Sequence, residues 1–211
     1  MQRVKNIFYV SLLRFLLKYG VDDGNKHIVD LIKSDLYRET KSTNMDVLFS
    51  SILSIPSLQF LFFFRLASAR PNSFFRKRIH TVSFSFHKKY FFKYGFQVPI
   101  KTTIGKGFQF LHFGNVVFNP SAVIGVNCTI AQGVLIGQSN RGVPNVGNYV
   151  WIGANAILVG DITIGNNVLI APGSFVNIDV PENSLVMGNP CVIFPKTSSI
   201  IDGYIVNKVN F

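Results

Sequence analysis

One histidine stands out among the residues of this chain that could do chemistry. His112 lies in the stretch GFQFLHFGNVVFN, residues 107–119, where its neighbours are apolar or small. A neutral imidazole can take a proton from a hydroxyl group near neutral pH, so this position could supply a general base. A lone histidine on an apolar segment is more often structural, and the pattern on either side of it favours one role over the other.

A six-residue period runs through the chain from about residue 100. Aliphatic residues recur at strict steps of six: Ile124, Ile130 and Ile136, then Ile152, Leu158, Ile164, Ile170 and Val176. A small or β-branched residue follows each of them except Ile136 four positions later, as at Cys128 and Ala156. Such a period indicates a solenoid, in which units stack to bury a shared core. Six residues are too few for a helix and suit a short strand plus a turn, with three units to a triangular coil.

The period is interrupted at two places. Phe110 and Phe118 are eight positions apart, which places an insertion around His112. A second insertion, GQSNRGVPN at residues 137–145, predicts a protruding loop that carries Arg141. Functional sites are often where a regular pattern is broken, so both insertions are candidate sites.

Residues 94–196 resemble the serine-acetyltransferase-like branch of the hexapeptide acyltransferases. The resemblance is carried by YGFQVPIKTTIGKGFQFLHFGNVVFNPSAVIGVNCTIAQGVLIGQSNRG and by VGNYVWIGANAILVGDITIGNNVLIAPGSFVNIDVPENSLVMGNPCVIF. It implies a mainly β fold, a left-handed parallel β-helix of hexapeptide repeats, with an N-terminal α-helical region. It also implies a homotrimer that binds acetyl-CoA as co-substrate between adjacent β-helices and uses no metal. By motif position, His112 would be the general base that acts on the acceptor hydroxyl.

The chain departs from that family at the positions that flank the histidine. Serine acetyltransferases carry an aspartate that orients the histidine, where this chain has Gln97, and a second active-site histidine where it has Val143. No Asp or Glu occurs between Asp46 and Asp161. A carboxylate that orients His112 would therefore come from the N-terminal region, a later coil or another subunit. Otherwise Gln97 or a backbone carbonyl could fix the imidazole tautomer.

The resemblance also assigns binding residues. Contacts to acetyl-CoA are expected from Trp151, Gly153, Ala154, Ala171, Gly173 and Lys196. Pro172 has no N–H, so cofactor contacts in its turn are expected through Ala171 or Gly173. Lys196 is the nearest cation for the nucleotide phosphates, and Arg141 and Asn115 are candidates for binding the acceptor. For Trp151 and Arg141, ordinary packing and solvation are the competing interpretations.

These departures favour an O-acetyltransferase that acts on a sugar of a bacterial surface polysaccharide, such as capsule or O-antigen, or on its precursor. Two alternatives stay open. One is serine O-acetyltransferase of cysteine biosynthesis, and the other is a catalytically inactive β-helix that serves as a scaffold.

The composition favours an anionic partner. Lys and Arg number 21 against 10 Asp and Glu, for a formal net charge of +11, which suits nucleic acid, a membrane surface or an acidic glycan. The sequence predicts three parts: a basic, Phe-rich helical region at 1–94, the β-helix at 95–196 and a C-terminal extension at 197–211. The basic aromatic stretch 65–93 lacks an RNA-binding motif. We therefore expect that this stretch binds no nucleic acid. Its basic face either contacts lipid phosphates or an anionic glycan, or is simply solvated.

Several features bear on the location of the protein. Residues 47–64 carry no charge and approach the length of a membrane span, but Pro56 and several serines favour two short helices broken at Pro56. The basic, then apolar, N-terminus predicts an amphipathic helix and not a signal peptide. Cys128 and Cys191 form no disulfide framework and are expected to be structural. We expect a cytoplasmic protein, peripheral at the inner face of the membrane.

Overall fold

The computed structural model describes residues 2–21, 26–69, 71, 73–196 and 203–209. Within these residues a set of helices precedes a parallel β-solenoid. The helices are α1 (Gln2–Gly20), α2 (Lys26–Thr40), α3 (Met45–Ser51), α4 (Pro56–Ser68) and α5 (Phe74–Tyr94). The first strand of the solenoid begins at Phe96, directly after α5.

The solenoid is a triangular prism with one sheet on each face. Sheet I contains β1 (Phe96–Gln97), β4 (Val116–Phe118), β7 (Leu135–Gly137), β10 (Ile157–Val159) and β13 (Phe175–Val176). Sheet II contains β2 (Thr103–Ile104), β5 (Val123–Ile124), β8 (Asn145–Val146) and β11 (Thr163–Ile164). Sheet III contains β3 (Gln109–Phe110), β6 (Thr129–Ile130), β9 (Trp151–Ile152), β12 (Leu169–Ile170), β14 (Ser184–Met187) and the antiparallel β15 (Val192–Pro195). The chain visits sheets I, II and III in turn, so the prism has a I-to-II, a II-to-III and a III-to-I edge.

The hexapeptide residues fill the interior of the prism, as the period predicts. Each aliphatic residue of the two phased blocks is at most 1% exposed. The small residues four positions later are buried as well, including Cys128 and Ala156. At the III-to-I edge the turn residues Asn115, Gly133, Asn155 and Gly173 have positive φ, which Gly and Asn tolerate best.

Both predicted insertions are present. Residues 111–115 form the longer turn between β3 and β4, where consecutive residues Gly114 and Asn115 adopt φ of 116° and 50°. The second insertion is the loop between β7 and β8, closed by a hydrogen bond of 3.0 Å from the Ser139 N–H to the Gly142 carbonyl. His112 therefore lies on the III-to-I edge of the first coil, and Arg141 on the I-to-II edge.

Most of the charge-free stretch 47–64 is buried in the protein core. It forms parts of α3 and α4, and Pro56 is the first residue of α4, as the two-helix prediction requires. Proline suits that position because its missing N–H would have no helical partner there. Residues Ser57–Ala67 of α4 are all buried. Among the described residues, no helix has the length and apolarity needed to cross a membrane.

Buried polar contacts attach α2 and α4 to the first coil. The Asp35 carboxylate accepts hydrogen bonds from Arg65 Nε at 2.8 Å and Nη2 at 3.1 Å, and from the Phe108 N–H at 2.9 Å. Arg65 also donates through Nη1 to the Ile104 carbonyl at 2.6 Å, and the Gly107 N–H donates to Ser34 Oγ at 2.8 Å. These bonds fix the helices relative to β2 and β3 and thereby position the residues beside His112.

The described part of the C-terminal extension folds back on sheet III. Ile205 is buried against Trp151 and Leu169, and the Tyr204 ring lies 5.0 Å from the Trp151 ring. Val209 exchanges two hydrogen bonds of 2.9 Å with the Asn127 side chain. Residues 197–202, 210 and 211 of the predicted extension lie outside the described residues.

Candidate active site

His112 is exposed at the turn between β3 and β4. Its neighbours Leu111 and Phe113 are exposed too, although both are large apolar residues. No hydrogen bond to the His112 ring occurs among the residues that the structure describes. The imidazole is thus accessible to a substrate, and the segment that carries it is not part of the core.

A cavity of about 220 Å³ lies beside His112. One wall is the turn itself, residues 110–113, and the other comes from the helical region. The helical wall consists of Glu39 near the end of α2 and of Ile55, Pro56 and Ser57 at the start of α4. The helices therefore enclose one side of the inserted turn that carries His112.

Glu39 was not predicted as a site residue. Its Oε1 accepts a short hydrogen bond from Ser57 Oγ, and its Oε2 accepts one of 3.3 Å from Gln109 Nε2. Burial raises the pKa of Glu39, and the two hydrogen bonds oppose that effect. A signal existed in the sequence, because Asp35 and Glu39 fall on the same helical stripe as the buried Ile32 and Leu36. Acids on an apolar stripe indicate a carboxylate held against the core.

Arg38 continues this polar network beneath sheet III. The guanidinium is fully buried, and Nη2 donates to Gln109 Oε1 at 3.2 Å and to Thr129 Oγ1 at 2.5 Å. Its Nε and Nη1 have no hydrogen-bond partner within the described part of the chain. Burial lowers the pKa of Arg38 to about 10, which leaves it charged at neutral pH. Gln109 thus links the cation of Arg38 to the carboxylate of Glu39.

Four of the residues predicted to contact acetyl-CoA share the III-to-I edge with His112. Gly153 and Ala154 form the turn between β9 and β10, and Ala171 and Gly173 the turn between β12 and β13. Because strands of neighbouring coils are about 4.8 Å apart, the edge from His112 to Gly173 spans three steps, or about 14 Å. The structure therefore aligns these small residues in a row above the histidine.

The backbone N–H groups in this row are already used within the solenoid. Ala171 donates to the Val186 carbonyl and Gly173 to the Ala154 carbonyl, both at 2.8 Å. Both N–H groups therefore have partners within the solenoid, and a cofactor contact through Ala171 or Gly173 stays a prediction. The position that a Gly173 side chain would occupy is open space, so a ligand can approach the backbone there.

Trp151 and Lys196 lie away from that edge. Trp151 is 8% exposed on sheet III under Ile205, so it packs against the C-terminal extension. Lys196 Nζ donates to the Asn167 carbonyl at 2.6 Å, on the II-to-III edge. A cofactor contact by either residue stays a prediction, and for Trp151 it would require displacement of Ile205.

The remaining predicted residues are divided between edges. Asn115 lies in the same turn as His112, whereas Arg141 is exposed on the I-to-II edge. Gln97 is exposed on β1 and is paired with Val117. No hydrogen bond joins Gln97 to His112 among the described residues, so an orienting role for Gln97 stays a prediction that this geometry does not favour.

The cysteines show no sign of chemistry. Both are free thiols, and Cys128 is fully buried inside the prism, where burial raises the pKa of its thiol to about 12. Cys191 packs against the core. Within the described part of the chain, no group of three or more His, Cys, Asp or Glu residues is arranged to hold a metal ion.

Comparison with known proteins identifies the repeat. Residues 144–177 match the family described as bacterial transferase hexapeptide (six repeats). These residues carry the hexapeptide repeat of that family. The coils of the structure extend the repeat beyond the matched residues, from Phe96 to Val186.

Curated relatives of this hexapeptide-repeat protein are named as acetyltransferases. A putative colanic acid biosynthesis acetyltransferase, WcaB of Escherichia coli (strain K12), is 44% identical over 98 residues, which are 45% of this chain and 60% of the relative. Serine acetyltransferase 4 of Arabidopsis thaliana is 37% identical over 101 residues, which are 46% of this chain and 28% of the relative. The matches therefore span less than two thirds of either relative.

Solved structures show the same fold. A serine acetyltransferase in complex with CoA superposes on this chain with a TM-score of 0.67 and 23% sequence identity. The superposition covers 86% of this chain and 75% of that one. The hexapeptide-repeat protein is thus a left-handed parallel β-helix with an N-terminal helical region, as the resemblance implied.

Proposed function

We propose that the protein is an acetyl-CoA-dependent O-acetyltransferase with His112 as its general base. Its acceptor would be a sugar hydroxyl of a bacterial surface polysaccharide or of its precursor. The observation that carries the proposal is the position of His112: exposed on an inserted turn of a hexapeptide β-helix, beside a cavity that the helical region closes.

The chemistry requires a base because an alcohol is a weak nucleophile at neutral pH. A ring nitrogen of His112 would take the proton of the acceptor hydroxyl as the oxygen forms its bond to the thioester carbonyl carbon. When the carbon–sulfur bond breaks, the same ring nitrogen would return the proton to the sulfur. The imidazole is neutral before and after one turnover, so no other proton carrier is needed.

The III-to-I edge fits an extended thioester such as acetyl-CoA. Gly153 and Ala154 lie about 10 Å from His112 along the edge and Ala171 and Gly173 about 14 Å, and all four present small side chains or none. These residues would hold acetyl-CoA, which supplies the acetyl group at the His112 end. The other wall of the acetyl-CoA site would come from an adjacent copy of the chain. We therefore propose a homotrimer, and sedimentation of the purified protein would test it.

The acceptor class rests on two observations. The relative with 44% identity is named for colanic acid biosynthesis, and the chain has Val143 and not a second histidine in its loop. A serine acceptor is the second candidate, supported by similarity to a serine acetyltransferase. Under the third possibility, an inactive scaffold, the exposed His112 would have no role.

The test compares acceptors with the purified protein and acetyl-CoA, with thiol release as the measurement. We expect turnover with sugars or oligosaccharides from surface polysaccharides, and at least tenfold lower kcat/KM with L-serine. Higher kcat/KM with L-serine would establish the second candidate. Absence of transfer to any acceptor would support the scaffold.

We also propose that the protein contacts an anionic membrane surface through α5. This helix has no acidic residue and exposes Phe74, Phe75 and Phe92. Its cations are Arg76, Lys77, Arg78, Lys88, Lys89 and Lys93. Exposed aromatic and basic side chains on one helix suit the interface of anionic lipids.

Vesicle sedimentation tests this contact. The protein should bind vesicles that contain phosphatidylglycerol and not vesicles of phosphatidylcholine, and a double substitution of Phe74→Ser and Phe75→Ser should weaken binding at least fivefold. Val192→Ser, at an exposed apolar residue of β15, is the matched control. Equal binding to both vesicle types would rule the proposal out.

A further inference from the structure

The cavity beside His112 contains one acidic residue. Of the eight described residues that line it, Glu39 is the one with a carboxylate, and His112 is the one other residue with an ionisable side chain. Five of them are the apolar residues Ile55, Pro56, Phe110, Leu111 and Phe113. A carboxylate in such surroundings is weakly screened, so its charge acts strongly on any group that enters the cavity.

Glu39 is held in place from both sides. Ser57 donates to one carboxylate oxygen and Gln109 to the other. The Gln109 carbonyl oxygen accepts from Arg38, so the amide group of Gln109 directs its N–H donor at Glu39. Because both oxygens accept hydrogen bonds, these contacts suit the ionised carboxylate.

The carboxylate has acceptor capacity left over. Two oxygens offer about four lone-pair directions, and the hydrogen bonds from Ser57 and Gln109 use two of them. No further hydrogen bond to Glu39 occurs among the described residues. A ligand in the cavity could therefore donate hydrogen bonds to Glu39 while one of its hydroxyl groups faces His112.

The same arrangement disfavours an anionic ligand. A carboxylate or phosphate next to the reacting hydroxyl would face the Glu39 charge across an apolar cavity, and like charges repel strongly there. Arg141, a candidate for binding the acceptor, lies on the I-to-II edge and does not line the cavity, so its cation does not offset the Glu39 charge there. The buried Arg38 is directed at Gln109 and Thr129.

We infer that Glu39 is a specificity-determining residue of the acceptor site, where it binds hydrogen-bond donors beside the reacting hydroxyl and excludes acceptors with an anionic group there. The inference rests on the proposed function of the cavity as the acceptor site. The hydroxyl groups of a neutral sugar supply the hydrogen-bond donors that Glu39 would bind. A sugar acid has no such hydrogen-bond donor at the carbon that bears its carboxylate.

The test measures binding to the full-length protein by saturation-transfer NMR. The probes are three pairs of a neutral sugar and its uronic acid, D-glucose, D-galactose and D-mannose with the corresponding uronates, together with L-serine. Glu39→Gln removes the charge but keeps the shape. Asp46→Asn is the control, because Asp46 is an exposed carboxylate of the same region, paired with Arg14 on the surface.

We expect the wild-type protein to prefer at least one neutral sugar over its uronate by on the order of tenfold. Glu39→Gln should reduce that preference to about twofold, whereas Asp46→Asn should preserve it. Equal binding of neutral and acidic probes by the wild type would overturn the inference, and so would an unchanged preference in Glu39→Gln.

The outcome separates this inference from the proposed function. A Glu39-dependent preference in binding, without acetyl transfer to any acceptor, would leave the specificity role standing and contradict the enzyme. Acetyl transfer that requires His112, with the same acceptor preference in the wild type and in Glu39→Gln, would support the enzyme and contradict the specificity role of Glu39. Preference for L-serine over the neutral sugars would overturn the exclusion of anionic groups, because L-serine has a carboxylate beside its hydroxyl.

Discussion

His87 and His112 have opposite surroundings. His112 is exposed, whereas His87 is 3% exposed between α5 and the first coil, with Nε2 placed 3.1 Å from the Val98 carbonyl. Burial lowers the pKa of His87 to about 4. A buried neutral imidazole that binds a backbone carbonyl is a structural residue. Both histidines have aromatic neighbours in the sequence, and the interruption of the repeat at His112 is what distinguishes them.

The pKa of His87 predicts acid sensitivity. The unfolded chain takes up a proton near pH 6.5, while the folded protein resists until about pH 4. The unfolded state thus binds more protons in this window, and stability present above pH 6.5 is lost as the pH falls toward 4. Between pH 7 and pH 5 we expect the free energy of unfolding to fall by about 2 kcal/mol from this group.

Urea denaturation at both pH values measures that loss. His87→Gln keeps a donor for the Val98 carbonyl and cannot be protonated, so its pH difference should be smaller by about 2 kcal/mol. His27→Gln, at an exposed position of α2, should behave as the wild type. An unchanged pH difference in His87→Gln would show that the buried imidazole is not the acid-sensitive group.

Some elements of the fold are predictable from the hexapeptide period, whereas others depend on contacts between segments that are distant in the sequence. The hexapeptide period predicts which residues face the interior and where the two insertions fall, since a stacked coil repeats the same constraint at every turn. Pro56 likewise predicts the start of α4. The role of α2 was not predictable, because the apolar stripe that carries Asp35 and Glu39 indicates burial but does not indicate which element packs against it. The contact of Ile205 with Trp151 joins segments 54 positions apart, and no local pattern indicates it.

The attachment of α2 to the coil predicts unequal effects for two aspartates. Asp35→Asn removes one partner of a buried ion pair with Arg65 and leaves that guanidinium uncompensated. We expect the free energy of unfolding to fall by about 3 kcal/mol or more. Asp46→Asn, at an exposed pair with Arg14, should cost less than about 1 kcal/mol. Thermal or urea denaturation of both variants gives the comparison, and equal losses would contradict the assigned role of Asp35.

The whole molecule combines a rigid β-helix with a helical region that shapes its site. The β-helix aligns His112 and four small residues on one edge, and α2 and α4 enclose the cavity at the histidine end. His112 and the III-to-I row were predictable from the sequence because they fall on the repeat and its first insertion. Glu39 was not, because it reaches the site through the packing of α2 on the coil.

The central claim is that His112 is the general base. The most direct measurement is turnover of acetyl-CoA with its best acceptor for His112→Asn, with binding of acetyl-CoA measured by calorimetry on the same protein. We predict that kcat falls by about 10²–10⁴ while the dissociation constant of acetyl-CoA changes less than threefold. A variant that binds acetyl-CoA and keeps more than about a tenth of the wild-type turnover would contradict the account.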